Sequence, residues 1–370
     1  MSARFLTVVL ERAFNMRDGF GREIDYMRIS VIDSCNLNCY YCNPCDNNEH
    51  CHALNILSVK EVLCIVRAAT RLGIKHFRLT GGEPLLHPQL DEMVLQIKKI
   101  PGVSSVSLTT NAVLLVQHAK WLKEAGIDSI NVSLDTIDAS EYERITKKPL
   151  LEEVKNGINA AIECGIRVKI NVVLTPQTDV VALTRYVAKK GTDIRFIEMM
   201  PVGEGHTNGV EPYKKVIGTL SKLYGEPCRI NTEKTKEINS GNDKRKIPDN
   251  GPAEYYIFPE LGIRVGLIQA IHGKFCDTCN RIRVTADGRL MPCLGSSVTM
   301  DLVPDSWDFA DDVEKDFAIV RALRAAIKAK PRCHNFNDNA VTYTKTTETK
   351  TTEIEAAEVN AARNMSRIGG

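Results

Sequence analysis

Short apolar runs rich in β-branched residues recur at residues 26–32, 76–80, 105–109, 129–134, 168–174 and 194–199. Each is long enough for a strand and too short for a helix. Between them, apolar positions follow the helical period over residues 58–72, 87–99, 114–125, 152–164 and 180–190. Ser58 followed by Glu61 has the form of a capping box, in which each side chain satisfies a backbone N–H of the first turn. Gly73, Gly126 and Gly165 follow three of the helical segments, as stops should. Alternating strand and helix predict a parallel α/β sheet with crossover helices. Six strands are too few for a closed eight-stranded barrel, and an open partial barrel and a doubly wound sheet both satisfy the periodicity. In either, chemistry belongs at the C-terminal strand ends. The chemistry-bearing residues collect there: Asp33 to Cys42, Thr80-Gly81-Gly82-Glu83-Pro84, Thr110-Asn111, Asp135, and Met199-Met200-Pro201.

Beyond residue 200 the pattern changes. Residues 204–210 read as loop, 213–224 as an amphipathic helix and 233–252 as a charged, Gly/Asn/Pro-rich linker. Residues 254–258 and 264–271 read as strands, antiparallel to each other, and 312–330 as a helix. The tract 342–353 is a low-complexity Thr/Glu/Lys segment that reads as a solvated tether. A short helix over 354–362 and a terminal Gly369-Gly370 follow. The chain therefore divides into residues 1–200, 201–340 and 341–370.

At 370 residues, with 43% hydrophobic and 25% charged content, the composition is that of a globular protein. The net charge of +2 gives no global basic field for nucleic acid and no acidic bias toward cations. No apolar run reaches the ~18 residues of a membrane span. The apolar stretch at 5–10 lacks a cleavage pattern and is not read as a signal peptide. The 12 cysteines are more informative, because they cluster. Cys35, Cys39, Cys42, Cys45 and Cys51 form one group and Cys276, Cys279 and Cys293 another, whereas Cys64, Cys164, Cys228 and Cys333 are scattered. Clusters without a secretory signal point to metal or cofactor chemistry in a reducing compartment, with the cytoplasm as the default. Cys64 and Cys164 fall in apolar helical patterns and read as small buried hydrophobes.

Cys35-x3-Cys39-x2-Cys42 puts three thiolates on one tight loop. Three thiolates suit an iron–sulfur cubane with one iron left open to bind a reactant. Zinc is the rival, with Cys45, His50, Cys51 or His52 as fourth ligand. Cys276-x2-Cys279-x13-Cys293 is a second trio, or an incomplete zinc ribbon. Arg281 and Arg283 follow it two apart, so on a strand both guanidiniums share one face beside the cysteines, an arrangement suited to a phosphate.

The segment CNLNCYYC after the first strand resembles the radical SAM superfamily signature, with Tyr41 in the aromatic position before the third cysteine. Gly81-Gly82-Glu83-Pro84 after the second strand resembles that superfamily's Gly-Gly-Glu-Pro motif. From Phe20-Gly21-Arg22 to the last residue the chain resembles the GTP 3′,8-cyclase family, radical SAM enzymes that begin molybdenum cofactor biosynthesis. The most specific elements are the two cysteine trios, Cys279-Asn280-Arg281-Ile282-Arg283 and the terminal Gly-Gly, with similar stretches at 26–30, 131–135 and 195–200.

The resemblance implies an incomplete TIM-like βα barrel of about six strands with a C-terminal extension carrying a second Fe–S cluster. It implies two [4Fe-4S] clusters and S-adenosylmethionine as cofactors. Cys35, Cys39 and Cys42 would hold the cluster whose open iron binds S-adenosylmethionine, reduced to give a 5′-deoxyadenosyl radical. Tyr41, Gly82, Ser133 and Met200 match contacts to that cofactor. Cys276, Cys279 and Cys293 would hold the cluster that takes the guanine of GTP. Arg28, Arg78, Lys169, Arg281 and Arg283 match positions gripping the triphosphate and ribose, and Thr109 a further GTP contact. The reaction implied is hydrogen removal from ribose C3′, attack on guanine C8, and reduction to 3′,8-cyclo-7,8-dihydro-GTP. Arg281, Arg283, Gly369 and Gly370 would carry catalytic roles, the two glycines threading a narrow channel because neither has a side chain. The partners implied are GTP, an electron donor and the next enzyme of the pathway, cyclic pyranopterin monophosphate synthase; a homodimer is compatible, and neither nucleic acid nor membrane is expected.

Departures from the family pattern concentrate near the first trio. Asn43-Pro44 stands where Met-Pro is usual, and Cys45, His50, Cys51 and His52 have no assigned role. They could bind adventitious metal, form a disulfide, or close the first cluster with a fourth ligand. Two other functional classes fit parts of the sequence: a radical SAM enzyme modifying peptides with an auxiliary cluster, whose auxiliary regions carry more cysteines, and a zinc-stabilised binding module.

Overall fold

A computed structural model describes residues 16–42, 55–202, 210–230, 251–296, 298–302, 312–334 and 336. Outside them lie the expectations for Cys45, His50, Cys51 and His52, for most of the 204–210 and 233–252 loops, for the 342–353 tract and 354–362 helix, and for Gly369-Gly370.

Six parallel strands form the centre: β1 (Tyr26–Ser30), β2 (His76–Thr80), β3 (Ser105–Thr110), β4 (Ser129–Ser133), β5 (Val168–Val173) and β6 (Asp193–Ile197). They alternate with α1 (Val59–Arg71), α2 (Leu90–Lys98), α3 (Leu115–Glu124), α4 (Ala139–Thr146), α5 (Leu151–Glu163) and α6 (Val180–Lys189). The Ser58–Glu61 capping box is present at α1, and Gly73, Gly126 and Gly165 stand past their helices at positive φ. The short helix α4, capped by Asp138 accepting from the Glu141 N–H, is not among the helices expected from the sequence. Strand order follows chain order from β1 to β6. A doubly wound sheet needs an order reversal, so the open barrel is the arrangement adopted.

The later segments join both edges of this sheet. A π turn at Tyr213–Ile217 leads into α7 (Gly218–Tyr224), where one amphipathic helix is expected. Strands β7 (Cys228–Ile230), β8 (Glu254–Ile257) and β9 (Arg264–Ile268) follow, β8 antiparallel to β9 as its sequence suggests. β9 itself runs parallel to β6. At the other edge, β10 (Arg281–Val284) runs parallel to β1, with β11 (Arg289–Met291) and β12 (Met300–Asp301) antiparallel beyond it. The terminal strands β7 and β12 are not paired to each other, so the sheet stays open. Helix α8 (Asp312–Lys328) packs on α1, where Arg71 and Asp316 pair at 2.9 Å.

Successive strand side chains point to opposite faces. One set is apolar and fully buried in the main core: Met27, Ile29, Phe77, Leu79, Val106, Leu108, Ile130, Val132, Ile170, Val172, Ile194 and Phe196. The alternate set, facing the barrel interior, is polar or charged except for Val173 and Ile197 at the ends of β5 and β6. Barrel interiors that only fill space are built from branched apolar residues; this one is built to hold something. Among the described residues no helix is long and apolar enough to cross a membrane.

Candidate functional site

The first trio lies on the loop that leaves β1. Gly82 brings the loop after β2 against it: its N–H donates to the Ile32 carbonyl at 2.7 Å and Glu83 N–H to Ser34 at 2.8 Å. A Cβ at Gly82 would stand 2.1 Å from the Ser34 carbonyl oxygen, so only glycine permits this approach. Buried Glu83 accepts from the Thr110 hydroxyl at 2.6 Å and from the N–H groups of Asn111 at 2.7 Å and Leu85 at 3.0 Å. Burial nevertheless pushes its carboxyl up to about 7. Asn111 turns its amide toward Asn36 at 2.7 Å and the Cys35 sulfur at 3.8 Å. Tyr41 donates its hydroxyl to Asp135 at 2.5 Å, and Asp135 also accepts from Val173 N–H at 2.7 Å. The loop carrying Cys35, Cys39 and Cys42 is thus tied to the C-terminal ends of β2, β3 and β4.

The second trio occupies the opposite end of the barrel. Cys276 and Cys279 immediately precede β10, which runs parallel to β1, and Cys293 follows the antiparallel β11. At about 3.3 Å per residue, one strand of five residues puts about 16 Å between the two ends. The rule that chemistry collects at C-terminal strand ends holds for the first trio and not for the second. Arg22 anchors this end: its guanidinium pairs with Asp18 and donates to the carbonyls of Cys276 at 2.7 Å, Arg332 at 2.9 Å and Pro331 at 2.6 Å. Glu198, just past β6, accepts from the Ile271 and His272 N–H groups at 2.7 and 3.1 Å, four to five residues before Cys276 in the chain.

Between the two ends runs a band of cations. Arg283, Arg28 and Arg78 stand in register on β10, β1 and β2, all on the interior face. Arg281 lies one step along, level with Tyr26. Like charges side by side oppose one another. Burial, then Arg283, holds Arg28 well below its ordinary value, and burial together with Arg281 brings Arg283 down to about 10. Tyr26 accepts from Arg78 Nε at 2.5 Å, and Arg78 also reaches the Thr109 hydroxyl at 3.4 Å. Across the interior, buried Lys169 on β5 is level with Asn131 on β4. Arg195 on β6 donates to Asn171 at 2.9 Å. Among the described residues, the buried Asn131 Oδ1 and Thr80 Oγ1 find no hydrogen-bond partner, and a bound molecule would satisfy such atoms.

The structure therefore gathers Arg28, Arg78, Thr109, Arg281 and Arg283 on one wall, with Lys169 inward on β5. Ser133 is exposed at the end of β4. Gly82 packs backbone against Ser34, and the Tyr41 hydroxyl is engaged by Asp135. Met200 packs with Val202 and Met291. Tyr26, Asn131, Asn171 and Arg195 were not singled out from the sequence, although each occupies an inward position of the strand alternation, as does Thr80 at the strand end already named. Asn111 and Asp135 hold the first trio by side-chain contacts to which no sequence period points.

The donor sets fit iron–sulfur clusters. All six cysteines are free thiols. Burial pushes Cys35 up to about 11; burial, with Cys42, Asp135 and Cys35 beside it, pushes Cys39 up further. Burial and the neighbouring Cys293 and Cys279 raise Cys276. Burial acts upward on Cys279 too, but Arg281 and Lys330 outweigh it and bring the thiol down to about 7. A bound metal centre reverses this preference by deprotonating its thiols. Among the described residues, no three His, Cys, Asp or Glu side chains gather as ligands of one ion. A cubane asks for something else, since its cysteines bind different irons.

The Radical SAM superfamily model matches residues 29–182, and the Molybdenum Cofactor Synthesis C model matches residues 192–336. The chain is 35% identical to the GTP 3′,8-cyclase of Clostridium perfringens (strain SM101) over 324 residues, 87% of this chain and 95% of the relative. It is 36% identical to that of Pelotomaculum thermopropionicum over 327 residues, 86% of this chain and 95% of the relative. Among solved structures, Streptococcus suis SuiB bound to S-adenosylmethionine is similar in fold, with a TM-score of 0.55 and 14% identity over 82% of this chain and 68% of that one. With the barrel, both cysteine trios and relatives at this identity over most of its length, the chain belongs to the GTP 3′,8-cyclase family of radical SAM enzymes.

Proposed function

We propose that the interior of this barrel is where GTP is converted to 3′,8-cyclo-7,8-dihydro-GTP, the first step of molybdenum cofactor biosynthesis. The observation that carries the residue assignments is the in-register row Arg283–Arg28–Arg78 beside the second trio. Burying mutually repelling guanidiniums is costly unless a polyanion answers them, and a triphosphate is that polyanion. Arg281 and Arg283 grip from β10, Arg28 from the adjoining β1, Thr109 from β3, and Lys169 from across the interior. Tyr26 holds Arg78 in place by accepting from its Nε. Asn131 Oδ1 and Thr80 Oγ1 offer acceptors to the nucleoside or to the amino acid part of the cofactor.

As a radical SAM enzyme the chain uses a [4Fe-4S] cluster and S-adenosylmethionine; Cys35, Cys39 and Cys42 are the ligands assigned, and the pair supplies the carbon radical that starts the reaction. Cys276, Cys279 and Cys293 are assigned to a second cluster, which they would hold beside the arginine band and which would take the guanine of GTP. The protein's own work is placement. One ribose C–H must lie close to the radical source in a dry cavity, and the separation of the two trios by the length of a strand leaves room for a nucleotide and a cofactor between them. Tyr41, Ser133 and Met200 remain assigned to the cofactor end, with Gly82 shaping its floor. The assigned partners beyond GTP are a one-electron donor and the enzyme that takes the product.

The test is anaerobic protein treated with dithionite, S-adenosylmethionine and GTP. About eight irons per chain are expected from two cubanes, with 5′-deoxyadenosine and cyclised nucleotide formed only when GTP is present. Four irons with normal turnover would remove the second cluster. Turnover with a peptide and none with GTP would move the chain to the peptide-modifying class. A colourless zinc protein without sulfide would end the radical reading.

A further inference from the structure

Lys330 lies just past α8 and is 2% exposed. Its ammonium donates to the Arg281 carbonyl at 2.8 Å and the Pro292 carbonyl at 2.9 Å. Its charge also lies close enough to Cys279 to favour the thiolate there. Arg281 is two residues past Cys279, and Pro292 immediately precedes Cys293. One side chain therefore fastens both arms of the second trio.

Charge makes this contact more than a strut. The neighbouring buried cation, Arg22, is balanced by Asp18 at 2.5 Å. The oxygen acceptors of Lys330 are both neutral carbonyls. A buried ammonium favours negative charge nearby, and among the described residues Cys279 is an ionisable group on which its charge acts. Hydrogen bonds to ligating sulfurs and local net charge are among the protein's levers on the potential of an iron–sulfur cluster.

We infer that Lys330 is a positioning residue of the second cluster, holding the Cys279 and Cys293 arms together through the Arg281 and Pro292 carbonyls and raising the cluster's reduction potential through its buried charge. This rests on the proposed second cluster, and the test separates the two. Wild type, Lys330→Met and Lys330→Arg are purified without oxygen, their iron and sulfide counted, and each titrated by potential with electron paramagnetic resonance as the readout. Wild type with one cluster only refutes the second-cluster reading itself. With two clusters in wild type, Lys330→Met is expected to leave the first cluster's signal unmoved. The second cluster's reduction equilibrium should fall about tenfold, about 59 mV for one electron, or that cluster should be lost selectively. Lys330→Arg, which keeps the charge, should return toward the wild-type value. Should Lys330→Met not accumulate, Lys330→Gln keeps a donor for the carbonyls without the charge and is read in the same way. An unchanged midpoint with both clusters present overturns the inference. So does loss of both clusters together in both uncharged variants, which would assign Lys330 to the fold.

Discussion

Replacing Arg283 by methionine should move stability and nucleotide binding in opposite directions. Burial and the adjacent Arg281 bring Arg283 from 12.5 down to about 10. Each pKa unit is worth about 1.4 kcal/mol, so keeping this side chain charged costs the empty protein about 3 kcal/mol. The sign follows from the group being a cation with a lowered folded value. The penalty is complete below about 10 and fades only as pH rises from there toward 12.5, so it is constant between pH 6 and 9. Methionine fills similar volume without the charge. Allowing for the hydrogen bonds lost, a net gain of about 1–3 kcal/mol remains, or a few degrees in Tm for a chain of this size. Binding should go the other way. A charge-assisted contact to phosphate is worth about 1.5–3 kcal/mol, so GTP affinity should fall about 10- to 150-fold. Thermal denaturation with and without GTP, at pH 6, 7.5 and 9, reads both effects. A variant that melts lower than wild type without nucleotide, yet keeps its full GTP-induced rise, would show that the arginine row is a scaffold rather than a grip.

Two further substitutions test the framework. Gly82→Ala sets a methyl group 2.1 Å from the Ser34 carbonyl; the loop must move, at about 1–3 kcal/mol, and first-cluster occupancy after anaerobic reconstitution should fall while second-cluster occupancy holds. Asp193→Ala leaves the buried Arg264 guanidinium without the carboxylate that pairs with it between β6 and β9; a loss of about 3–5 kcal/mol is expected, read as a lower denaturation midpoint.

Much of the barrel was legible in the sequence because its strands obey two periods at once. Met27 and Ile29 alternate with Tyr26, Arg28 and Ser30, and the same rhythm recurs in β2 to β6. The helical period between strands is equally plain, with capping and stop residues in place. Short α4 went unread because its Asp138–Glu141 cap and its two apolar positions, Tyr142 and Ile145, make a brief signal, and the π turn before α7 leaves no separate mark. Both trios could be read from cysteine spacing, but their placement at opposite ends could not. That depends on β10 lying parallel to β1, a pairing between segments more than two hundred residues apart. The same pairing turns Arg281 and Arg283 from a local pair into part of a band with Arg28 and Arg78. The contacts of Lys330, Asn111 and Asp135 are tertiary, and nothing near them in the chain announces them.

That long-range seam has a consequence for synthesis. β1 emerges from the ribosome early and must wait for β10 to be made before its outer side is covered. Until then it is a bare strand edge, open to wrong partners. An inward charged side chain in such a strand discourages mispairing, and Arg28 sits at its middle. A chain truncated before β10 would possess neither a covered β1 edge nor the Arg281 and Arg283 side of the cation band.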